Sequence, residues 1–164
     1  MNNGGPALAA RTRRETAHLS VVCASGSLAA RNLKVVADEV ERVFGQILKA
    51  LEIPTHPRTG MSLEALDVAL QAHDVKAVLV MPNVSNPIGA TMADAAKKRL
   101  VDMLAARGVP LIEDHIYSEL AYDATTRRAA KCFDRAGNVM LCSSFSKTLA
   151  PGLKSGFIEP GRWR

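Results

Sequence analysis

The sequence is short of the residues that mark several classes of protein. Aromatic side chains make up 4% of its 164 residues, which is little for a self-sufficient core and suggests that the chain is part of something larger. The three cysteines, Cys23, Cys132 and Cys142, lie far apart and form no CxxC pair. This spacing argues against a disulfide framework and against a zinc or other metal site. We therefore expect a protein of the reducing cytoplasm, without a metal.

Membrane and nucleic-acid signals are also lacking. No apolar run approaches the length that crosses a bilayer, and the N-terminus has no signal-peptide core, so we expect no membrane partner. The net charge is +5, and its clearest cluster is Arg11, Arg13 and Arg14. Because no aromatic residues interleave this cluster, we interpret it as a solvated helix face.

Helix signals are clearest after residue 50. Ser62 can cap a helix from Leu63 to about Ala72. Thr91, with Asp94 three residues later, predicts a second helix start, and that helix should stop at Gly108. The stretch "LEIPTHPRTGMS" before the first helix contains proline, threonine and glycine and is interpreted as a connection.

Apolar runs predict the strands between these helices. "VKAVLVMP" is typical of a strand buried on both faces of a parallel sheet, and "VPLIED" and "NVMLCSS" predict two more strands. The order of strand, helix and strand from "VKAVLVMP" to "VPLIED" is a βαβ unit, which predicts that these two strands are parallel. We expect an α/β fold with a mostly parallel sheet and helices on both faces. Residues 1–50 give weaker signals, namely a helix around Ala7 to Thr16 and a short strand "HLSVVCA".

Three polar residues stand where predicted strands end. Asn86 follows the strand "VKAVLVM", Asp114 ends "VPLIED", and Lys147 follows "NVMLCSS". Loops beyond the carboxyl ends of parallel strands form the usual ligand crevice, provided that the strands share one sheet. A lysine can form a Schiff base, and a buried carboxylate can hold a pyridinium nitrogen protonated. With nearby hydroxyls for a phosphate, the set favours a pyridoxal phosphate site.

Three motifs at these positions carry a family resemblance. "SNPIG", "IEDHIYSEL" and "SSFSKTLAPGLKSGFI" resemble the active-site motifs of fold-type I, class I/II aminotransferases. The sequence is most similar to the aminotransferase-like domain of the MocR group of GntR-family transcription regulators. Residues 44–164 match this pattern well and residues 1–43 weakly. The resemblance implies that residues 1–164 are an incomplete large, cofactor-binding domain, without the family's small C-terminal domain or winged helix-turn-helix.

The resemblance also implies roles for individual residues. Lys147 would carry pyridoxal 5′-phosphate as an internal aldimine and shuttle a proton, and Asp114 would pair with the pyridine nitrogen. Hydrogen bonds to the ring oxygen would come from Asn86 and Tyr117. The remaining implied cofactor contacts all concern the phosphate, and they are Ser144, Ser146, Lys154, Ser27 and Leu28.

Several positions depart from the family pattern. Lys154 stands where relatives usually place an arginine, so the bidentate grip on phosphate is lost while the charge is kept. Val43 stands where a tyrosine should stack on the ring. The stretch "FGQILKALEIPTH" looks about two helical turns short, which is typical of a deletion.

Each candidate also has an ordinary structural interpretation. Lys147 could be a surface charge, Asp114 a helix cap before "HIYSEL", and Asn86 part of a turn. Tyr117 could be a core aromatic residue. His115 should point away from its neighbour Asp114 in an extended strand and is not expected to act directly.

Two functions of different classes follow from the resemblance. One is amino-group transfer from an amino acid or amine through Lys147. The alternative is an effector-sensing module of a MocR-type regulator, or an inactive truncated fragment. The resemblance allows a homodimer, and it implies DNA binding only through a winged helix that this sequence does not contain.

Overall fold

One seven-stranded sheet organises the protein. The computed structural model describes residues 19–26, 48–123 and 128–164. The strands are β1 (Leu19–Gly26), β2 (Leu48–His56), β3 (Gly60–Met61), β4 (Val75–Val80), β5 (Leu111–Asp114), β6 (Val139–Ser144) and β7 (Gly156–Glu159). The α-helices are α1 (Leu63–Ala72) and α2 (Asp94–Arg107), and short 3₁₀ turns cover Ser118–Leu120, Ala130–Phe133 and Pro151–Leu153.

The sheet is mostly parallel, as the sequence predicts. Its strand order is β3-β2-β1-β4-β5-β6-β7. Strands β2, β1, β4, β5 and β6 pair in parallel, whereas β3 is antiparallel to β2 and β7 is antiparallel to β6. The carboxyl ends of the five parallel strands therefore lie at one edge of the sheet. The α/β class is confirmed.

The core lies on one face of the central strands. Val78, Leu111 and Val139 are paired across β4, β5 and β6, and each is 0% exposed. Leu66 from α1 and Leu104 from α2 belong to the same apolar cluster. Full burial of such a side chain contributes about 1.5–3 kcal/mol, so this row anchors both helices to the sheet.

Strand β4 differs from its prediction in one respect. The sequence predicts burial on both faces, but Lys76 is exposed and Ala77 and Leu79 are only half-buried. Neither Ala77 nor Leu79 belongs to the core cluster. Both described α-helices contribute to the cluster that contains Val78, on the other face of the strand.

The helix predictions are largely confirmed. Ser62 caps α1, with its Oγ accepting the Ala65 amide at 3.2 Å, and α2 ends at Gly108, whose φ is 67°. The predicted capping role of Thr91 was wrong. Its Oγ1 accepts the Val84 amide at 3.1 Å, so the hydroxyl closes the preceding loop and α2 begins at Asp94 without a side-chain cap.

The largest correction concerns the stretch interpreted as a connection. Residues 48–56 form β2, which pairs with β1 from Leu48 to Thr55. Pro54 lies within this strand opposite Ser25, and its carbonyl accepts the Ser62 amide at 2.9 Å. Pairing with a distant segment overrides the local turn signal of proline and threonine. The prediction of a strand at "HLSVVCA" is confirmed by β1, and the helix predicted around Ala7 to Thr16 lies outside the described residues.

In the described segments, neither α-helix is long and apolar enough to cross a membrane. Those segments also hold no group of three or more His, Cys, Asp or Glu side chains that could bind a metal ion.

Candidate functional site

The condition on which the predicted site depends is met. Strands β4, β5 and β6 are neighbours in one sheet and run parallel. Their carboxyl ends, at Val80, Asp114 and Ser144, therefore lie side by side at one edge. The chain segments that carry Asn86, Asp114 and Lys147 all leave the sheet from this edge.

The loop after β4 is closed by its own hydrogen bonds. The Met92 amide donates to the Pro82 carbonyl at 2.8 Å, and the Ser85 amide donates to the Ala90 carbonyl at 2.9 Å. Asn86 lies between these bonds and is exposed. The Oγ of Ser85 is buried and has no hydrogen-bond partner among the described residues. The loop thus places the exposed side chain of Asn86 next to the buried hydroxyl of Ser85.

Asp114 ends β5 on the face opposite the core. Successive side chains alternate along a strand, so Leu111 and Glu113 face the core while Asp114 faces the other way. Asp114 is half-buried, and its Oδ1 accepts the Ile116 amide at 3.1 Å. Burial raises the pKa of the Asp114 carboxyl above its ordinary value, against the opposing effects of the Ile116 amide and His115. This carboxylate has lost water without gaining many donors, so a cationic N–H group would stabilise it.

The residues after Asp114 follow the alternation expected of a strand end. His115 Nδ1 lies 2.8 Å from Ser118 Oγ and 3.6 Å from Glu113 Oε1, so the imidazole is on the core side. The prediction that His115 points away from Asp114 is confirmed. Tyr117 is half-buried and precedes the 3₁₀ turn Ser118–Leu120.

Lys147 lies in the connection between β6 and β7. The Leu149 amide donates to the Phe145 carbonyl at 2.9 Å, and the Phe145 amide donates to the Ser155 carbonyl at 3.0 Å, which closes a turn around Lys147. The lysine is exposed and makes no hydrogen bond or ion pair with the rest of the described chain. A Cβ on Gly156 would meet the Ser143 carbonyl at 2.7 Å, so this glycine allows β7 to approach β6 closely.

Ser144, Ser146 and Lys154 lie near Lys147 in the chain, at the same edge of the sheet. Ser144 and Ser146 are half-buried, and the Ser146 amide donates to Ser144 Oγ at 3.4 Å. Lys154 is exposed in the same connection, with a left-handed backbone at φ 44°. The predicted phosphate contacts Ser27 and Leu28 lie outside the described residues, as does Val43.

Sequence reasoning missed the polar groups behind Asp114. Glu113 and Lys97 are each 0% exposed, and Asn83 is 1% exposed. The signal for Glu113 was present, because a carboxylate two residues after Leu111 occupies the apolar face of a strand. Lys97 precedes Leu100, Val101 and Leu104 by three, four and seven residues, so the helical period places it on the buried face of α2 and Lys98 off that face.

Comparisons with known proteins agree with this arrangement. Residues 47–158 match the family model "Aminotransferase class I and II". The chain is 38% identical over 145 residues to the uncharacterized HTH-type transcriptional regulator YjiR of Escherichia coli, covering 88% of this chain and 31% of that protein. It is 35% identical over 104 residues to aromatic-amino-acid aminotransferase 1 of Thermococcus litoralis, covering 60% of this chain and 25% of that protein.

A solved structure shows the same fold. The kynurenine aminotransferase of Pyrococcus horikoshii, crystallised with PMP and its substrates, superposes with a TM-score of 0.70 at 29% identity. The match covers 86% of this chain and 34% of that one, so the chain spans about a third of the enzyme's length. The family match, the fold and the motif positions agree, and the chain belongs to the class I and II aminotransferase family.

Proposed function

We propose that this chain is the cofactor-binding part of an aminotransferase-like protein and that Lys147 holds pyridoxal phosphate covalently through its Nζ. One observation carries the proposal. Three neighbouring parallel strands bring the segments of Asn86, Asp114 and Lys147 to the same edge of the sheet. Solved relatives support the cofactor, since one contains PMP and another contains a phosphopyridoxyl-leucine adduct.

The residues present fit this cofactor chemically. The half-buried carboxylate of Asp114, whose pKa is raised by burial, would accept a hydrogen bond from a protonated pyridine nitrogen. Asn86 and Tyr117 would donate to the ring oxygen. Ser144, Ser146 and the ammonium of Lys154 would bind phosphate oxygens. When bound, pyridoxal phosphate supplies the electron sink for amino-group transfer.

The proposed reaction is amino-group transfer from an amino acid or amine. Lys147 would then use its Nζ to move a proton at the Cα of the substrate. The aromatic-amino-acid aminotransferase relative supports this reaction class. We further propose that the protein works in the cytoplasm, by its cysteine usage, and forms a homodimer, by its family.

A sensing function is the second candidate. It is favoured by the 38% identity to an HTH-type regulator over 88% of this chain. In that case the same residues would bind a cofactor or an amine as an effector, and a DNA-binding region elsewhere would report its occupancy.

The first experiment is a titration of the purified protein with pyridoxal phosphate, followed by visible absorption, borohydride reduction and peptide mass mapping. We expect one stoichiometric adduct on Lys147, and its loss in Lys147→Ala. Lys98→Ala is the control, because Lys98 is also an exposed lysine but lies on α2, in an ion pair with Asp102. Labelling spread over surface lysines, or an unchanged adduct in Lys147→Ala, would contradict the proposal.

A second measurement separates transfer from sensing. Amino acids are added to the cofactor-loaded protein, and the released oxo acid is quantified by mass spectrometry. An oxo acid in proportion to the protein supports amino-group transfer. A spectral change without any oxo acid supports effector binding.

A further inference from the structure

A cluster of polar side chains is buried directly behind Asp114. Glu113 and Lys97 are completely buried, and Asn83 is 1% exposed, on the core side of the sheet. Burying a carboxylate and an ammonium costs several kcal/mol for each ion unless hydrogen bonds compensate. An apolar side chain such as Leu111 would fill the same face without that cost. We therefore expect these buried polar groups to have a role other than filling the core.

Glu113 binds the chain segment that packs beneath the strand end. Its Oε1 accepts the Ala130 amide and its Oε2 accepts the Lys131 amide, each at 2.8 Å. Residues 128–133 are called the anchor segment below. Because both carboxylate oxygens are engaged at fixed distances, the rotation of the Glu113 side chain and of the strand around it is restricted.

Lys97 and Asn83 hold the same segment from two other elements. The Arg128 carbonyl accepts Lys97 Nζ at 2.8 Å and Asn83 Nδ2 at 3.1 Å. Lys97 belongs to α2, and Asn83 lies in the loop that carries Asn86. Burial lowers the pKa of the Lys97 ammonium, while the carboxylates of Asp94 and Glu113 act in the opposite direction. The anchor segment thus joins β5, α2 and the loop after β4.

We propose that Glu113 and Lys97 are positioning residues, which hold Asp114 half-buried and facing the cofactor side by fixing the carboxyl end of β5 to the anchor segment. The physical link is the alternation of side chains along the strand. If Glu113 is held on the core face by two amides, Asp114 must face the opposite way. The orientation of Asp114 is inferred from this structure alone, and only its use toward pyridoxal phosphate rests on the proposed function.

The primary test needs no cofactor. The side-chain carboxyl of Asp114 is titrated by carbon-detected NMR in the wild type, in Glu113→Gln and in Lys97→Met. We expect the pKa of Asp114 to fall toward the ordinary aspartate value in both variants, because a loosened strand end admits water to the carboxylate.

The two variants distinguish positioning from a direct effect of charge. Removing the Glu113 carboxylate would lower the pKa of Asp114 by charge alone, but removing the Lys97 ammonium would raise it. A fall in both variants supports positioning. A rise in Lys97→Met, or no change in either variant, overturns it. If Glu113→Gln does not fold, the double variant with Lys97→Met removes both buried charges and is titrated instead.

A matched control separates positioning from general stability. Val75→Ala truncates a buried apolar side chain at the amino end of β4, at the edge of the sheet opposite Asp114. We expect it to lower thermal stability while leaving the titration of Asp114 unchanged. An equal shift of the Asp114 pKa in Val75→Ala would show that Glu113 acts only through general stability, and would overturn the proposal.

Cofactor binding gives the second readout. We expect the dissociation constant for pyridoxal phosphate to rise roughly tenfold in Glu113→Gln, equivalent to about 1.4 kcal/mol, and to stay unchanged in Val75→Ala. If the wild type forms no adduct on Lys147, the proposed function fails, while the titration still decides the positioning of Asp114. If the adduct forms but neither the titration nor the affinity changes in Glu113→Gln, the positioning inference fails alone.

Discussion

Two aspartates near opposite ends of neighbouring strands differ in their hydrogen bonding and in the direction of their pKa shifts. Asp114 lies at the carboxyl end of β5, and Asp134 lies shortly before the amino end of β6. Both carboxylates lose water on folding, and burial acts to raise the pKa of each. The pKa of Asp114 is nevertheless raised, whereas the pKa of Asp134 is lowered.

The number of hydrogen-bond donors explains the difference. Asp134 accepts the amides of Asn138 and Val139 at 2.9 Å and that of Ala136 at 3.2 Å, and Lys131 Nζ lies 3.2 Å away. Asp114 accepts one amide within the described chain. A carboxylate with its full set of donors stabilises the fold, whereas one that lacks donors is available for a ligand. This difference supports the proposal that the cofactor binds at the carboxyl edge of the sheet.

The largest expected effect is a loss of stability when Asp134 is replaced. Asp134→Ala removes three acceptor contacts to backbone amides and the partner of Lys131, so we expect the free energy of unfolding to fall by about 3 kcal/mol. Chemical denaturation at pH 7 measures it. The control is Asp74→Ala, an exposed aspartate paired with Lys76, which should change stability by less than about 0.5 kcal/mol. If both substitutions lowered stability equally, the hydrogen bonds of Asp134 would not be what stabilises the fold.

The pH dependence of this stabilisation has a definite sign. The folded pKa of Asp134 lies below its unfolded value, so the contribution is fully present above the ordinary aspartate pKa of about 3.9. It is lost as the pH falls through the folded pKa.

Replacing Asp114 is expected to change the free energy of unfolding by less, and in the opposite direction. Its folded pKa is raised, so the ionised carboxylate destabilises the fold above that pKa, and the penalty disappears as the pH falls through it. Asp114→Asn should therefore be more stable than the wild type at pH 7, and the gain should shrink in acid. Urea unfolding at several pH values measures the difference. A variant less stable than the wild type at pH 7 would show that Asp114 supports the fold, as Asp134 does.

The smallest effect concerns the phosphate end of the proposed site. Lys154→Arg should tighten the binding of pyridoxal phosphate by about threefold, because a guanidinium can bind phosphate through two parallel hydrogen bonds. Lys154→Gln, which removes the charge at the same left-handed position, is the matched control and should weaken binding. Fluorescence titration gives both dissociation constants. Unchanged affinity in both variants would mean that Lys154 does not face the phosphate.

The sequence alone determined the elements whose signals are local. The cap at Ser62 and the stop at Gly108 were correctly predicted, because caps and turns depend on residues a few positions apart. The parallel pairing of β4 and β5 followed from the predicted helix between them. The motifs around Asn86, Asp114 and Lys147 indicated the family for the same reason, since each is a short contiguous pattern.

Only the tertiary structure decided what depends on distant residues. Strand β2 forms through the turn-like stretch around Pro54 because β1 supplies its partners. The helical period places Lys97 on the buried face of α2, but only the fold supplies the Arg128 carbonyl, 2.8 Å from Lys97 Nζ, that compensates the buried ammonium. The opposite pKa shifts of Asp114 and Asp134 likewise arise from donors that the fold brings near. Hydrogen bonding and loss of water are set by neighbours in space, which no local pattern encodes.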